Sequence, residues 1–452
     1  MHEPAIIKLY GRNVINADGD VWRFHRRVTG PVFSEKIHSA VWAEGARQAA
    51  LMFRSWTSSS TPAGESQEGT EPAAVRVDTL FDDTLKLGLH VITGAAYGCP
   101  LAWSGPGSAP PTTSRVPYTY AQSVEELNKH LMPLFLTPRW LLRLAPARSA
   151  WGRAWTAYEA LGGFLRGMLE RERARRQWGD DPAAAAGAGE DEGPRENLLS
   201  VLLDAEEGGD EKLERRMTPE EVLGNAFIFM FAGHETTANT THYALLLLAL
   251  HPDVQTHVLA EIDGAHRAAA AEGRPALSYE RDYPRFVHAV ALMQETLRLY
   301  TPTSVVNKCA AGDQAITFHG RRYLLPAGTR VAVNITGVHS SPKVWGDHPL
   351  AFRPDRWLQQ QQQQQECTLL KPPRGAWLPF SEGSRMCSGR KFATVEFVSV
   401  LCTLLRAHRV ELLAPAEGWG EDRVRKVLAG RKPGALTLQV PQRVPVRFVR
   451  RT

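Results

Sequence analysis

Apolar residues recur at helical spacing in "SVEELNKHLMPLFL" (123–136), "YEALGGFLRGMLERERARRQ" (158–177), "ENLLSVLLDAEE" (196–207) and "RFVHAVALMQETLRLY" (285–300), so each predicts an amphipathic or buried helix. The longest such run is "TPEEVLGNAFIFMFAGHETTANTTHYALLLLAL" (218–250). Thr218 supplies its N-cap, Pro219 its first residue and Glu221 the capping-box partner. Beyond Pro302 the period changes to two. "AITFHGRRYLLPAGTRVAVNIT" (315–336) reads as short strands with glycine turns, as do "GALTLQV" (434–440) and "VPVRFV" (444–449). Three stretches break the pattern: Ser/Thr/Pro/Gly-rich 57–74, Ala/Gly-rich then acidic 179–195, and seven glutamines at 359–365. None can build a packed core, so each is expected to be a disordered surface loop. The picture is mainly α with minor β, one domain over 1–452 with no clean internal boundary.

Composition narrows the class. Hydrophobic residues make up 43% and charged residues 22%, an ordinary globular balance. The net charge of +5 is diffuse, and no dense Lys/Arg run with interleaved aromatics points to nucleic acid. Five cysteines (Cys99, Cys309, Cys367, Cys387, Cys402) form no C-x-x-C pair. That speaks against a disulfide framework or a structural zinc site. No signal peptide or membrane span is visible. "YALLLLALH" (243–251) is too short to cross a bilayer and reads as core helix.

His234-Glu235 opens like H-E-x-x-H, the helical zinc motif. Its second histidine would fall at 238, which is Ala, and the next is His242. Eight residues place His242 roughly 12 Å along the helix and about 80° round it, too far to share one metal with His234. The polar run therefore needs another explanation.

Near the C-terminus stands "PFSEGSRMCSGRKFATVEF" (379–397), with Phe380-x-x-Gly383-x-Arg385-x-Cys387-x-Gly389 at its centre. A glycine-rich loop carries a lone cysteine to a helix starting around Ser388. Backbone N–H groups there are expected to lower the thiol's pKa. The glycines let a flat ligand approach closely. A lone thiolate in such a nest suits a haem iron.

With this loop in view, the chain resembles the cytochrome P-450 family. Four further stretches match that family in order: "WRFHRR" (22–27), "AGHETT" (232–237), "ETLR" (295–298) and "FRPDRW" (352–357). The resemblance runs from about residue 10 to 450. It implies the cytochrome P-450 fold, with a long central helix over haem b and small antiparallel sheets. Cys387 is the implied axial iron ligand in the loop of Phe380, Gly383 and Gly389. Trp22, Arg26 and Arg385 are implied partners of the haem propionates. Lys308 stands five residues before Asp313, where the family usually has Arg; it offers a point charge in place of a bidentate fork.

In "AGHETT", Ala232 and Gly233 remove bulk where a diatomic must sit. Thr236 can turn its hydroxyl to the carbonyl four residues back and open the helix locally. Glu235 can relay protons inward; His234 has no assigned role. Glu295 and Arg298 share a helix face, and a buried pair needs further partners, with Arg356 the implied third member of a structural triad. The substrate pocket is implied at Phe227, Phe231, Ala232 and 303–306.

The reading is a haem-thiolate monooxygenase, inserting one atom of O2 into a small apolar organic substrate, with secondary metabolism as a context. The insertions and glutamine run have a eukaryotic look, in the manner of fungal chains. No Gly-x-Gly-x-x-Gly follows a strand, so electrons must come from outside. NADPH-cytochrome P-450 reductase is the implied donor, with Lys371, Arg374, Arg390 and Lys391 flanking the loop as docking charges. A monomer is expected. The alternatives are a non-catalytic haem-binding relic of the same fold and, more distantly, a zinc hydrolase. Only 21 residues precede Trp22. In the family an anchor to the endoplasmic reticulum membrane and the first strands come before this Trp. "TFHGRRYLLPAGTRVAVNI" is therefore expected to expose a sheet edge, the haem to lie unusually open, and the chain alone to express poorly or bind haem weakly.

Overall fold

A computed structural model describes residues 9–60, 73–115, 117–178, 194, 196–208, 215–360, 367–433 and 437–451. The main helices are α1 (Gly19–Thr29), α2 (Glu35–Ser60), α3 (Leu80–Val91), α4 (Ala150–Trp178), α5 (Leu198–Glu207), α6 (Pro219–Leu250), α7 (Pro252–Ala271), α8 (Val287–Leu299) and α9 (Arg390–Leu405). Shorter helices connect them. The expected helix over 123–136 is two pieces, Tyr120–Lys129 and Leu131–Leu136, because the chain leaves helical geometry at His130.

The strands are β1 (Ala74–Val77), β2 (Val305–Cys309), β3 (Gln314–Phe318), β4 (Arg321–Leu325), β5 (Arg330–Asn334), β6 (Leu358–Gln360), β7 (Cys367–Leu369), β8 (His408–Leu412), β9 (Lys432–Pro433), β10 (Leu438–Gln439) and β11 (Val446–Arg450). They form small antiparallel sheets: β1-β11-β8, and the pairs β2-β5, β3-β4, β6-β7 and β9-β10. The β3–β4 hairpin pairs with no third strand among the described residues, and Phe318 and Leu324 are 61% and 65% exposed. The three expected loops fall largely outside the described residues. At their margins, 57–60 continue α2, Ala74 begins β1, and Gln359 and Gln360 belong to β6.

α6 runs through the middle of the molecule. Its cap is the one the sequence signals: Thr218 Oγ1 accepts from Glu221 N at 3.2 Å, and Glu221 Oε2 accepts from Thr218 N at 3.2 Å. Leu245 to Leu248 are all buried, each contributing about 1.5–3 kcal/mol, so this run is core. No helix among the described residues is long and apolar enough to cross a membrane. α3 lies tightly against α6, since a Cβ on Gly88 would sit 2.8 Å from the His234 carbonyl oxygen. α9 lies along α2, where Ser399 Oγ donates to the Trp42 carbonyl at 2.6 Å.

Candidate active site

The Cys387 loop is built by short-range hydrogen bonds. Cys387 N donates to Phe380 O at 2.9 Å and Met386 N to Gly383 O at 3.0 Å, folding 380–387 back on itself. Gly383 has φ +86°, a left-handed conformation that glycine adopts without strain. Ser381 also has positive φ, at 58°, a strain that the surrounding loop must hold. Gly389 has a different role. Its φ is −82°, but a Cβ there would lie 3.9 Å from Cys387 Sγ and 4.0 Å from the Phe33 ring. The helix begins at Arg390, two residues later than expected.

The expected lowering of the thiol pKa does not hold in this structure. Burial pushes the Cys387 thiol up from its ordinary value, and the Gly389 N–H and the Arg26 guanidinium pull it back only in part. Cys387 is open at its surface, yet dense protein surrounds it on its other sides, and that density sets the direction. A metal ion reverses this balance, because a coordinating thiol is deprotonated outright.

On α6, where nearly every residue is buried, Phe229, Ala232, Gly233 and Thr236 are only half-buried. Their spacing places them on one helix face. Phe229 packs on Phe33 at 5.6 Å between ring centroids, and Phe33 is the ring beside Gly389. An open stripe on the central helix thus leads from the Cys387 loop past Ala232 to Thr236. Thr236 Oγ1 donates to Ala232 O at 3.0 Å, the expected back-bond, but α6 stays unbroken through it. A Cβ on Gly233 would meet Ile92 Cδ1, the end of a side chain, at 2.5 Å. Glu235 is buried, and its Oε1 accepts from Thr437 Oγ1 and, at 3.0 Å, from Gln439 Nε2. His234 bonds its own helix, Nδ1 to Met230 O at 2.9 Å. Phe227 and Phe231 are fully buried and stacked on each other at 4.9 Å, with Tyr10 on Phe227, and so do not face the open stripe.

The cations expected around a haem lie as follows. Arg26 bonds Ser388 Oγ, next to Cys387. Arg385 lies 4.7 Å over the Trp22 ring and bonds Asp18 Oδ1 at 2.7 Å and Ala17 O at 2.8 Å. Lys308, on β2, is exposed and lines a hollow of about 160 Å³ with Leu378, Ser381 and Glu382 of the Cys loop. A larger hollow, about 520 Å³, lies beside Cys387 against Phe33, Leu297, Trp377 and Arg390. No residue of α6 lines it, so it is not the space over the stripe. The docking charges are partly engaged: Arg390 lies over Trp377 at 5.3 Å, Lys391 over Tyr283 at 4.3 Å, and Arg374 pairs with Glu382 at 3.2 Å.

Behind the loop, Glu295 is fully buried and accepts five hydrogen bonds. Arg298 Nη2 and Nε reach its two oxygens at 2.7 Å each, Arg356 Nε bonds it at 3.0 Å, Arg353 N at 2.9 Å and Trp357 Nε1 at 2.9 Å. Arg298 in turn donates to the carbonyls of His339 (2.8 Å), Pro349 and Ala351 (3.1 Å). The expected triad is therefore a larger cluster.

Sequence reasoning missed His339, which joins that cluster to the Cys loop. Its Nδ1 meets Arg298 O at 3.2 Å and its Nε2 accepts from Leu378 N at 2.8 Å. The pair of contacts requires the neutral Nδ1–H tautomer. Burial lowers its pKa to about 4. The unfolded histidine titrates near its ordinary value, so between about 6.5 and about 4 the unfolded state binds the extra proton. Stability therefore falls as pH drops through that window. His339→Gln removes this contribution, and between pH 7 and pH 5 it is expected to lose about 2 kcal/mol less than the parent in urea unfolding. Equal losses would contradict the assignment.

A family model described as Cytochrome P450 matches residues 6–438. The chain belongs to the cytochrome P450 family. A cytochrome P450 monooxygenase of Arthrobotrys oligospora is 30% identical, the match covering 99% of this chain and 77% of that protein. One from Penicillium rubens is 29% identical, with 99% and 76% covered. A cytochrome P450 monooxygenase of the phomenoic acid biosynthesis cluster of Leptosphaeria maculans is 28% identical over 90% of this chain and 69% of its own. The crystal structure of the cytochrome P450DA heme domain superposes with a TM-score of 0.69 at 21% identity, covering 99% of this chain and 82% of that one. The fold is that of the family, and this cytochrome P450 is a haem b monooxygenase that draws electrons from a reductase. The residues fit the cofactor: a lone cysteine is exposed at a glycine loop with two positive-φ residues, Ala232, Gly233 and Thr236 are only half-buried on the central helix, and cations stand near the loop.

Proposed function

We propose that this cytochrome P450 hydroxylates a small apolar organic molecule, with Cys387 as the haem ligand and Thr236 and Glu235 managing protons. The observation that supports it most is the half-buried stripe Phe229, Ala232, Gly233 and Thr236, leading on α6 from the Cys387 loop. Bound haem supplies the activation of O2, one atom of which enters the substrate while the other leaves as water. Cys387 provides the thiolate, and Phe380, Gly383 and Gly389 shape the loop that presents it. Arg26, Lys308 and Arg385, with Trp22 beneath Arg385, offer donors and charge to the propionates. Ala232 keeps the stripe low, and its apolar surroundings suit an apolar substrate.

Thr236 Oγ1 commits its hydrogen to Ala232 O, which leaves its lone pairs to accept a bond on the open side. Glu235, one residue earlier and buried, is the group that relays protons toward it. NADPH-cytochrome P-450 reductase is the proposed electron donor to a monomeric enzyme at the endoplasmic reticulum membrane. The phomenoic acid cluster relative supports a setting in secondary metabolism.

Thr236→Ala is expected to keep haem and substrate binding while product per NADPH falls about tenfold, the difference appearing as hydrogen peroxide. Oxygen uptake, peroxide and product measured together check this. An unchanged product yield would remove Thr236 from proton delivery.

A further inference from the structure

Among the described residues, Glu235 Oε2, Asn239 Oδ1 and both ring nitrogens of His242 are buried without a hydrogen-bond partner. The three residues are no more than 1% exposed. Their positions are four and then three residues apart on α6, so they share one helix face over about 10 Å. Thr437 bridges the first two: its hydroxyl bonds Glu235 Oε1 and accepts from Asn239 Nδ2 at 2.8 Å. At the other end, the His242 ring meets Phe81 edge-on at 5.3 Å. Arg443 lies over the same Phe81 ring at 5.8 Å and pairs with Asp82 at the surface, Nε to Oδ2 at 2.6 Å. Asp82 and Arg443 are the charges that reach His242. Unpaired polar atoms therefore line one face of α6 from His242, whose ring shares Phe81 with the surface Asp82–Arg443 pair, to the acid beside Thr236.

Native interiors leave few polar atoms unpaired, and neighbouring ones are commonly joined by buried water. A neutral imidazole carries one donor and one acceptor, so it can take a proton on one nitrogen while releasing one from the other. We propose that His242 is the entry relay of a proton path that runs from the Asp82–Arg443 pair past Asn239 to Glu235. The proposal rests on the reading of Glu235 as the proton donor. Each turnover consumes one substrate, one O2, two electrons and two protons, and yields one hydroxylated product and one water. The reductase supplies the electrons, and the path moves only protons, with no change of oxidation state along it.

The test has a structural and a functional arm, both on the haem-loaded protein. A crystal structure is expected to show ordered water within hydrogen-bond distance of Glu235 Oε2, Asn239 Oδ1 and a ring nitrogen of His242. Dry surroundings at all three would overturn the path. His242→Phe fills the space without the nitrogens. With an unchanged carbon monoxide spectrum, its reductase-driven product yield per NADPH should fall about tenfold. Turnover driven by iodosylbenzene, which delivers an oxygen atom without protons, should stay at the parent rate. An unchanged reductase-driven yield overturns the path, and so does an equal loss in both reactions.

If His242→Phe does not load haem, Asp82→Asn at the exposed mouth serves instead. It should lower only the reductase-driven yield, severalfold, and no loss overturns the proposal. Glu235→Gln separates the two levels of the argument. If it uncouples while His242→Phe does not, the path fails alone; if it stays fully coupled, the reading of Glu235 fails with it.

Discussion

Cys387→Ser loses the Soret band of a thiolate-ligated haem in the reduced carbon monoxide complex, and monooxygenase turnover falls to that of haem free in buffer. A hydroxyl is a far poorer donor than a thiolate to this iron. The loop should survive the change. Its backbone is closed by Cys387 N to Phe380 O and Met386 N to Gly383 O, neither of which uses the sulfur. The comparison is made on purified variant and parent, by spectrum and by haem content. An unchanged spectrum would move the ligand elsewhere, with Cys402 next to be replaced, although that residue is buried in α9.

Glu295→Ala is expected to leave little folded protein. The carboxylate satisfies two guanidinium groups, a backbone N–H and the Trp357 indole in a site closed to water. Removing one partner of a buried ion pair costs about 3–5 kcal/mol, against total stabilities of about 5–15 kcal/mol for domains of ordinary size. Here two arginines lose that partner at once. The loss should also reach the haem loop, because Arg298 and Leu378 share His339. Soluble yield, haem content and the urea midpoint measure it together. A parent-like midpoint in Glu295→Ala would show that the cluster is not what holds the fold behind Cys387.

What was legible in the sequence was whatever carries its own local signature. The cap, first-turn proline and capping box of α6 are adjacent residues, and they open the helix at Pro219 as expected. The Cys387 loop is a short run whose glycines have distinct duties, yet even there the thiol's pKa went the other way. Helix-end N–H groups are visible in the sequence, but the mass of protein around the sulfur is not. Trp357 stands beside the expected Arg356 and still could not be read as a ligand of Glu295, since 62 residues separate them. His339 is a lone histidine with no periodic partner. Thr437 and Gln439, which hold Glu235, come from the far end of the chain, 202 and 204 residues away. Phe227 and Phe231 are expected at a substrate pocket, but Tyr10 and their own stacking bury them.

The central claim is that Cys387 ligates a haem in this chain. The most direct measurement is the reduced carbon monoxide difference spectrum of the purified protein, taken together with its metal content. The account predicts about one iron per chain as haem b and the red-shifted Soret band of a thiolate-ligated carbonyl. A band at the position of a histidine-ligated haem, or zinc with no haem, would contradict it.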